Sequence, residues 1–153
     1  MFSTFRFKIY IIDLYFREMS VVELSNISFS ASLDNLAVAE NCVEKVCSEL
    51  NISEEVFPNI LLACTEAVNN AIQHGAKRNA SERVFMSISK NDKYLQIVVR
   101  DNGSGFDFTN LPDPTAPENL EKESGRGVFL MRSLADEVGF QNNGAEVVLR
   151  FLV

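Results

Sequence analysis

Histidine is almost missing from this chain: His74 is the only one among 153 residues. A hydrolytic triad needs a nucleophile, a histidine and an orienting acid, and no Ser-His-Asp or Cys-His arrangement is legible here. Cysteine is scarce too. Cys42, Cys47 and Cys64 are odd in number and sit in helix-like segments, so their spacing fits neither a disulfide framework nor a zinc site. They read as buried free thiols in a reducing cytosol, which makes the expected location cytoplasmic. Positive charge is in deficit, with 14 Lys and Arg against 21 Asp and Glu and a net charge of −7. General nucleic-acid binding needs the opposite balance to displace counterions, whereas a protein partner with a basic patch suits it. No apolar run is long enough to span a membrane. The most apolar stretch, residues 1–16, is broken by Arg6, Lys8 and Asp13. No small-residue cleavage site follows it, which argues against a signal peptide.

The remaining composition, 46% hydrophobic and 23% charged, is that of an ordinary globular protein. The length predicts one domain with a single core, and no repeat or low-complexity tract suggests a second. Residues 1–18 read as an extension upstream of an alternative start at Met19, or else as an added strand or a cover for a hydrophobic surface. Residues 19–153 read as the domain itself.

Alternation of Val22, Leu24, Ile27 and Phe29 predicts a strand over 23–29. Ser32 is placed to cap a helix over 33–50, whose stripe includes Leu36, Ala39, Val43, Val46 and Cys47. A second helix is expected from Ser53 to His74, with Pro58 tolerated in its first turn and Gly75 ending it. Strands follow over 84–89 and 94–100. Three of the four prolines fall at Pro112, Pro114 and Pro117, so residues 111–124 read as a mobile connection. A short helix over 127–135 and a hairpin across Asn142-Asn143-Gly144 complete the chain. Mixed helices and antiparallel hairpins predict an α+β two-layer sandwich.

Three segments carry chemistry. In Glu66-Ala-Val-Asn-Asn-Ala-Ile-Gln-His-Gly75, helical spacing puts Glu66, Asn69, Asn70 and Gln73 on one side, opposite the apolar stripe. Glu66 and Asn70, four apart, converge on one spot. Magnesium takes hard oxygen ligands, and an asparagine carbonyl can supply one. In Asp101-Asn-Gly-Ser-Gly-Phe-Asp107, the carboxylate of Asp101 can only accept hydrogen bonds, which suits an exocyclic amine. Gly103 and Gly105 there permit positive φ and close backbone approach. In Ser124-Gly-Arg-Gly-Val-Phe-Leu-Met131, Gly125 and Gly127 open a helix whose N–H groups can cradle phosphate, with Arg126 available for charge-assisted bonds. Phe106 and Phe129 read as core or pocket lining. Each segment alone also fits a blander reading, a solvated helix face or a surface turn.

Their order and spacing together resemble the GHKL ATPase superfamily, to which gyrase and histidine-kinase ATPase domains belong, and most of all its anti-sigma-factor serine-kinase branch. The resemblance covers residues 23–153. It implies a Bergerat-type fold, with a mixed, mostly antiparallel sheet, helices on one face and ATP between the two layers. By the same resemblance Asn70 binds Mg2+, Glu66 activates the attacking hydroxyl, and Asp101 reads adenine. Gly103, Gly105, Gly125, Arg126 and Gly127 surround the nucleotide, and residues 111–123 form a lid over the phosphates. His74 ends the first segment as in many anti-sigma kinases and is expected to orient the loop. The implied activity is phosphorylation of a serine on a STAS-domain anti-anti-sigma partner, with a sigma factor as a second partner and a homodimer as the assembly. One departure weakens the sigma-factor inference: such kinases commonly present an arginine on the first helix, and here residues 33–50 hold only Lys45 as a basic residue. The alternatives are a non-catalytic, ATP-dependent protein-binding regulatory module and an adaptor with a decayed site.

Overall fold

A computed structural model describes residues 20–119 and 125–153. The 1–18 extension, and residues 120–124 with Ser124 of the third segment, lie outside the described residues. Five strands, β1 (Val22–Ser30), β2 (Arg83–Lys90), β3 (Tyr94–Arg100), β4 (Glu137–Gln141) and β5 (Glu146–Leu152), form one sheet in the order β1-β2-β3-β5-β4. Three helices, α1 (Leu36–Glu49), α2 (Phe57–Asn70) and α3 (Arg126–Leu134), pack with it, giving the expected α+β sandwich. Every described strand pair is antiparallel, so the sheet is simpler than the mixed one expected.

The strand order follows from burial. On β5, Val147, Val148, Leu149, Arg150 and Phe151 are all buried, whereas every residue of β4 is half-buried. The hairpin therefore folds with β5 inside, against β3, and leaves β4 at the edge. Side chains alternate across a strand, so one face collects Val84, Met86, Ile88, Leu95, Ile97, Val99, Leu149 and Phe151. The buried stripes of the helices meet this face: Val43 and Val46 from α1, Ile60, Cys64 and Val68 from α2, and Met131 from α3. α2 lies between the other two helices and supplies the largest share of the helical core.

Several local expectations change. Ser32 makes no side-chain cap; a 3-10 turn, Leu33–Asn35, precedes α1. Asn35 Nδ2 instead donates to the Ser30 carbonyl at 3.0 Å and to its Oγ at 2.8 Å. The second helix starts at Phe57, because the Ser53 carbonyl accepts from the N–H groups of Val56 and Phe57 in a preceding turn. It stops being α-helical at Asn70 and closes with a π turn, Ala71–Gly75. Phe129 is 42% exposed, not core, because α3 is an outer helix and buries only Val128 and Met131 fully. Of the cysteines, Cys47 and Cys64 are buried free thiols and Cys42 is half-buried. No helix among the described residues is long and apolar enough to cross a membrane.

Candidate functional site

The site lies where the C-terminal half of α2, the loop after β3 and the start of α3 meet. Glu66 and Asn70 do converge. A methyl group on Gly127 would stand 3.0 Å from Glu66 Oε2 and 3.1 Å from Asn70 Oδ1, so the first turn of α3 lies directly against this pair. Any larger residue at position 127 would have to push the two side chains aside. Gly125, at the N-cap of α3, holds φ at +84°, a left-handed value that disfavours any residue with a Cβ. The N–H groups at the α3 start thus come close to an oxygen-rich patch on α2.

The second cluster is built around Asp101. It is 8% exposed, and its Oδ1 accepts the Gly103 N–H at 2.7 Å. Burial raises its pKa above the ordinary carboxylate value, opposed by that one hydrogen bond. Gly75 packs its backbone onto the Asp101 carboxylate so closely that a Cβ would collide with it. Gly103 is held against the Gly75 carbonyl in the same way. Close approach, not positive φ, is therefore what both positions require. Among this loop's glycines only Gly105 has a positive φ, at +81°, and its Cα faces the Asn143 carbonyl of the β4–β5 turn. The Phe106 N–H donates to that same carbonyl at 2.9 Å. The hairpin turn thus braces the loop.

Between the clusters lies a narrow slot, lined by apolar groups from Ala67, Ala71, Val99, Met131 and Val147. Asp101 is the one carboxylate among the described residues lining it. An apolar slot with a single buried acceptor is suited to a flat, amine-bearing ring. It opens into a wider cleft lined by Asn70, Gln73, His74, Lys77, Gly125 and Gly127. His74 is exposed in the π turn and borders both spaces. Phe106 also lines both and meets Phe140 edge-to-face, with centroids 5.7 Å apart. Leu111 reaches the wider cleft, and the Pro112 carbonyl lies 3.0 Å from where a Gly125 Cβ would be. The start of the expected lid is therefore folded onto the α3 N-cap.

Seven of the eight expected site residues are gathered here. Asn70, Asp101, Gly105, Gly125 and Gly127 line the two spaces, Glu66 and Gly103 adjoin them through Gly127 and Asp101, and Arg126 is exposed at the first position of α3. Sequence reasoning passes over Gly75 as a site residue, because it reads as a helix stop. It also passes over Lys77, and over Gly144 and Ala145, which line the slot from the hairpin. Nothing local marks Lys77; the hairpin residues carry only a turn signal.

The histidine kinase-like ATPase domain family matches residues 29–151. The chain is 26% identical over 137 residues to the serine-protein kinase RsbW of Oceanobacillus iheyensis, covering 86% of this chain and 87% of that one. It is 25% identical to the protein of the same name from Bacillus cereus strain AH820, over 86% and 85% of the two chains. The crystal structure of the RsbU and RsbW domains of Rv1364c from Mycobacterium tuberculosis shares the fold, with a TM-score of 0.57 at 16% identity. That match covers 84% of this chain and 33% of the other, so the chain spans about a third of that protein's length. With the three-segment site assembled and the family match running from β1 to β5, the chain belongs to the histidine kinase-like ATPase domain family.

Proposed function

We propose that the protein is an ATP-dependent serine kinase of the anti-sigma type, acting on a STAS-domain anti-anti-sigma partner. The observation that carries the reading is the contact of Glu66 and Asn70 with Gly127 at the start of α3, beside an apolar slot that ends at Asp101. Adenine fills the slot and donates its exocyclic amine to Asp101. The phosphates then extend into the wider cleft, toward the N–H groups of α3.

Donor chemistry in the cleft fits magnesium: the Asn70 amide oxygen and the Glu66 carboxylate, one helical turn apart, are both hard oxygen donors. When bound, the ion neutralises phosphate charge. Asn70 holds it, and Glu66 accepts or orients the proton of the incoming serine hydroxyl. Glycine backbones at 125 and 127 let the phosphates approach without steric cost. Positioning and charge neutralisation are the main demands of phosphoryl transfer, and these residues supply both. The names of the RsbW relatives support a serine as acceptor.

A sigma factor is a weaker second partner, since the one basic residue of α1, Lys45, pairs with Glu49 at 4.0 Å. The test is transfer of labelled phosphate from ATP to purified STAS-domain proteins. Transfer by the wild type that Glu66→Gln lowers by about 10²- to 10⁴-fold, with ATP affinity kept, supports the assignment. Full transfer by Glu66→Gln would remove Glu66 as the base. ATP binding without transfer to any such protein would favour a binding module.

A further inference from the structure

The phosphate end of the cleft presents an electrostatic problem. One wall is the C-terminal turn of α2, the end of the helix that carries the negative pole of its dipole. Glu66 adds a carboxylate, and the chain as a whole carries −7. A polyphosphate entering here needs a cation on that wall.

Among the described residues lining the cleft, Lys77 is the one lysine or arginine. Its position is set by an unusual stretch of backbone. After the π turn, Lys77 and Arg78 both adopt left-handed conformations, with φ of +52° and +57°. Two successive non-glycine residues in that region are uncommon, and such strain tends to persist where the surroundings enforce it. Here the Ala76 N–H donates to the Ala71 carbonyl at 2.8 Å, and the Arg78 N–H to the Ile72 carbonyl at 2.9 Å. The turn divides the two cations. Arg78 donates to Gln73 Oε1 at 3.2 Å, and Gln73 in turn bonds Asn69 Oδ1 at 2.7 Å, so Arg78 braces the polar face of α2. Lys77, exposed and without a salt bridge among the described residues, is left lining the cleft that Gly125 and Gly127 also line.

We infer that Lys77 is a phosphate-contacting residue, which clamps the nucleotide's polyphosphate against the start of α3 from the α2 side. This rests on the nucleotide reading given above and assigns a residue to it. A lysine ammonium suits the task because it meets phosphate oxygens as a compact point charge without a fixed fork geometry.

The test is calorimetric titration of ATP, ADP and adenosine, with magnesium, into wild type, Lys77→Asn, Lys77→Arg and Arg126→Gln. Asparagine removes the charge yet tolerates the left-handed backbone. Lys77→Asn should weaken ATP and ADP by about tenfold or more, the loss of a hydrogen bond to a charged group, and leave adenosine within about twofold. Lys77→Arg should recover most of the affinity, and Arg126→Gln should lose less than Lys77→Asn. Unchanged ATP binding by Lys77→Asn would overturn the inference while leaving the kinase reading intact. An equal loss for adenosine would also overturn it, assigning Lys77 to the turn. Absence of nucleotide binding by the wild type would sink both.

Discussion

Replacing Asp101 by asparagine separates the cost of a buried carboxylate from its use. The two side chains have the same shape. Asparagine Oδ1 can keep the hydrogen bond from the Gly103 N–H, found at 2.7 Å. Its amide then turns a donor toward the slot, where adenine's amine is also a donor. A charge-assisted bond worth about 1.5–3 kcal/mol is lost, so ATP affinity should fall about 10- to 150-fold. Folding should respond in the opposite sense. Burial lifts the Asp101 pKa above 3.8, so between that value and the raised one the folded chain holds more protons than the unfolded chain. Stability from this group therefore declines as pH rises through that window, and the ionised form is a burden at neutral pH. Asp101→Asn should remove that slope and match or exceed the wild-type melting temperature at pH 7. Calorimetric titration with ATP and thermal melts from pH 4 to pH 8 read both effects. Wild-type affinity in the variant would refute the adenine role. A variant that melts well below wild type at pH 7 would refute the view of Asp101 as a costly buried charge.

Gly105→Ala should destabilise the fold by about 1–3 kcal/mol, since a Cβ at φ +81° is strained and would strike the Asn143 carbonyl; an unchanged urea midpoint would contradict this. Burial pushes the Cys47 thiol up to about 11 and the Cys64 thiol up to about 12. Thiol titration of the native protein at pH 8 should therefore register at most Cys42 promptly, with all three reacting after denaturation; rapid labelling of Cys64 would mean that the α1–α2 layer opens. Asp107 accepts from Thr109 and Asn110, which lowers its pKa to about 2. Carboxyl NMR should show it titrating well below 3.8, and Thr109→Val should bring it back toward that value.

Local chemistry made much of this protein legible from its residues alone. Helical periodicity put Glu66 and Asn70 on one face of α2. Alternation marked β1, and Asn142-Asn143-Gly144 announced the last hairpin. A glycine before a helix is a short-range signal, which is why Gly125 and Gly127 stood out. Helix starts were less accurate, because capping competes with turns: a 3-10 turn follows Ser32 in place of a side-chain cap, and Ser53 closed a turn ahead of α2. Contacts between distant segments could not be read, since they depend on which surfaces the sheet and helices bring together. Gly75 reads as a helix terminator; folding sets it on the Asp101 carboxylate, 26 positions away. Gly103 reads as a flexible turn residue and is needed because the Gly75 carbonyl leaves no space. Phe129 reads as core or pocket lining, and lies outside because α3 has helix on one flank only. Lys77 reads as an ordinary surface lysine, until a pinned left-handed turn puts it on the wall of the cleft. Sequence determined which groups could bind a nucleotide, through spacing and residue chemistry. Only tertiary packing decided which of them share a wall, because burial and steric exclusion act between segments that sequence order keeps apart.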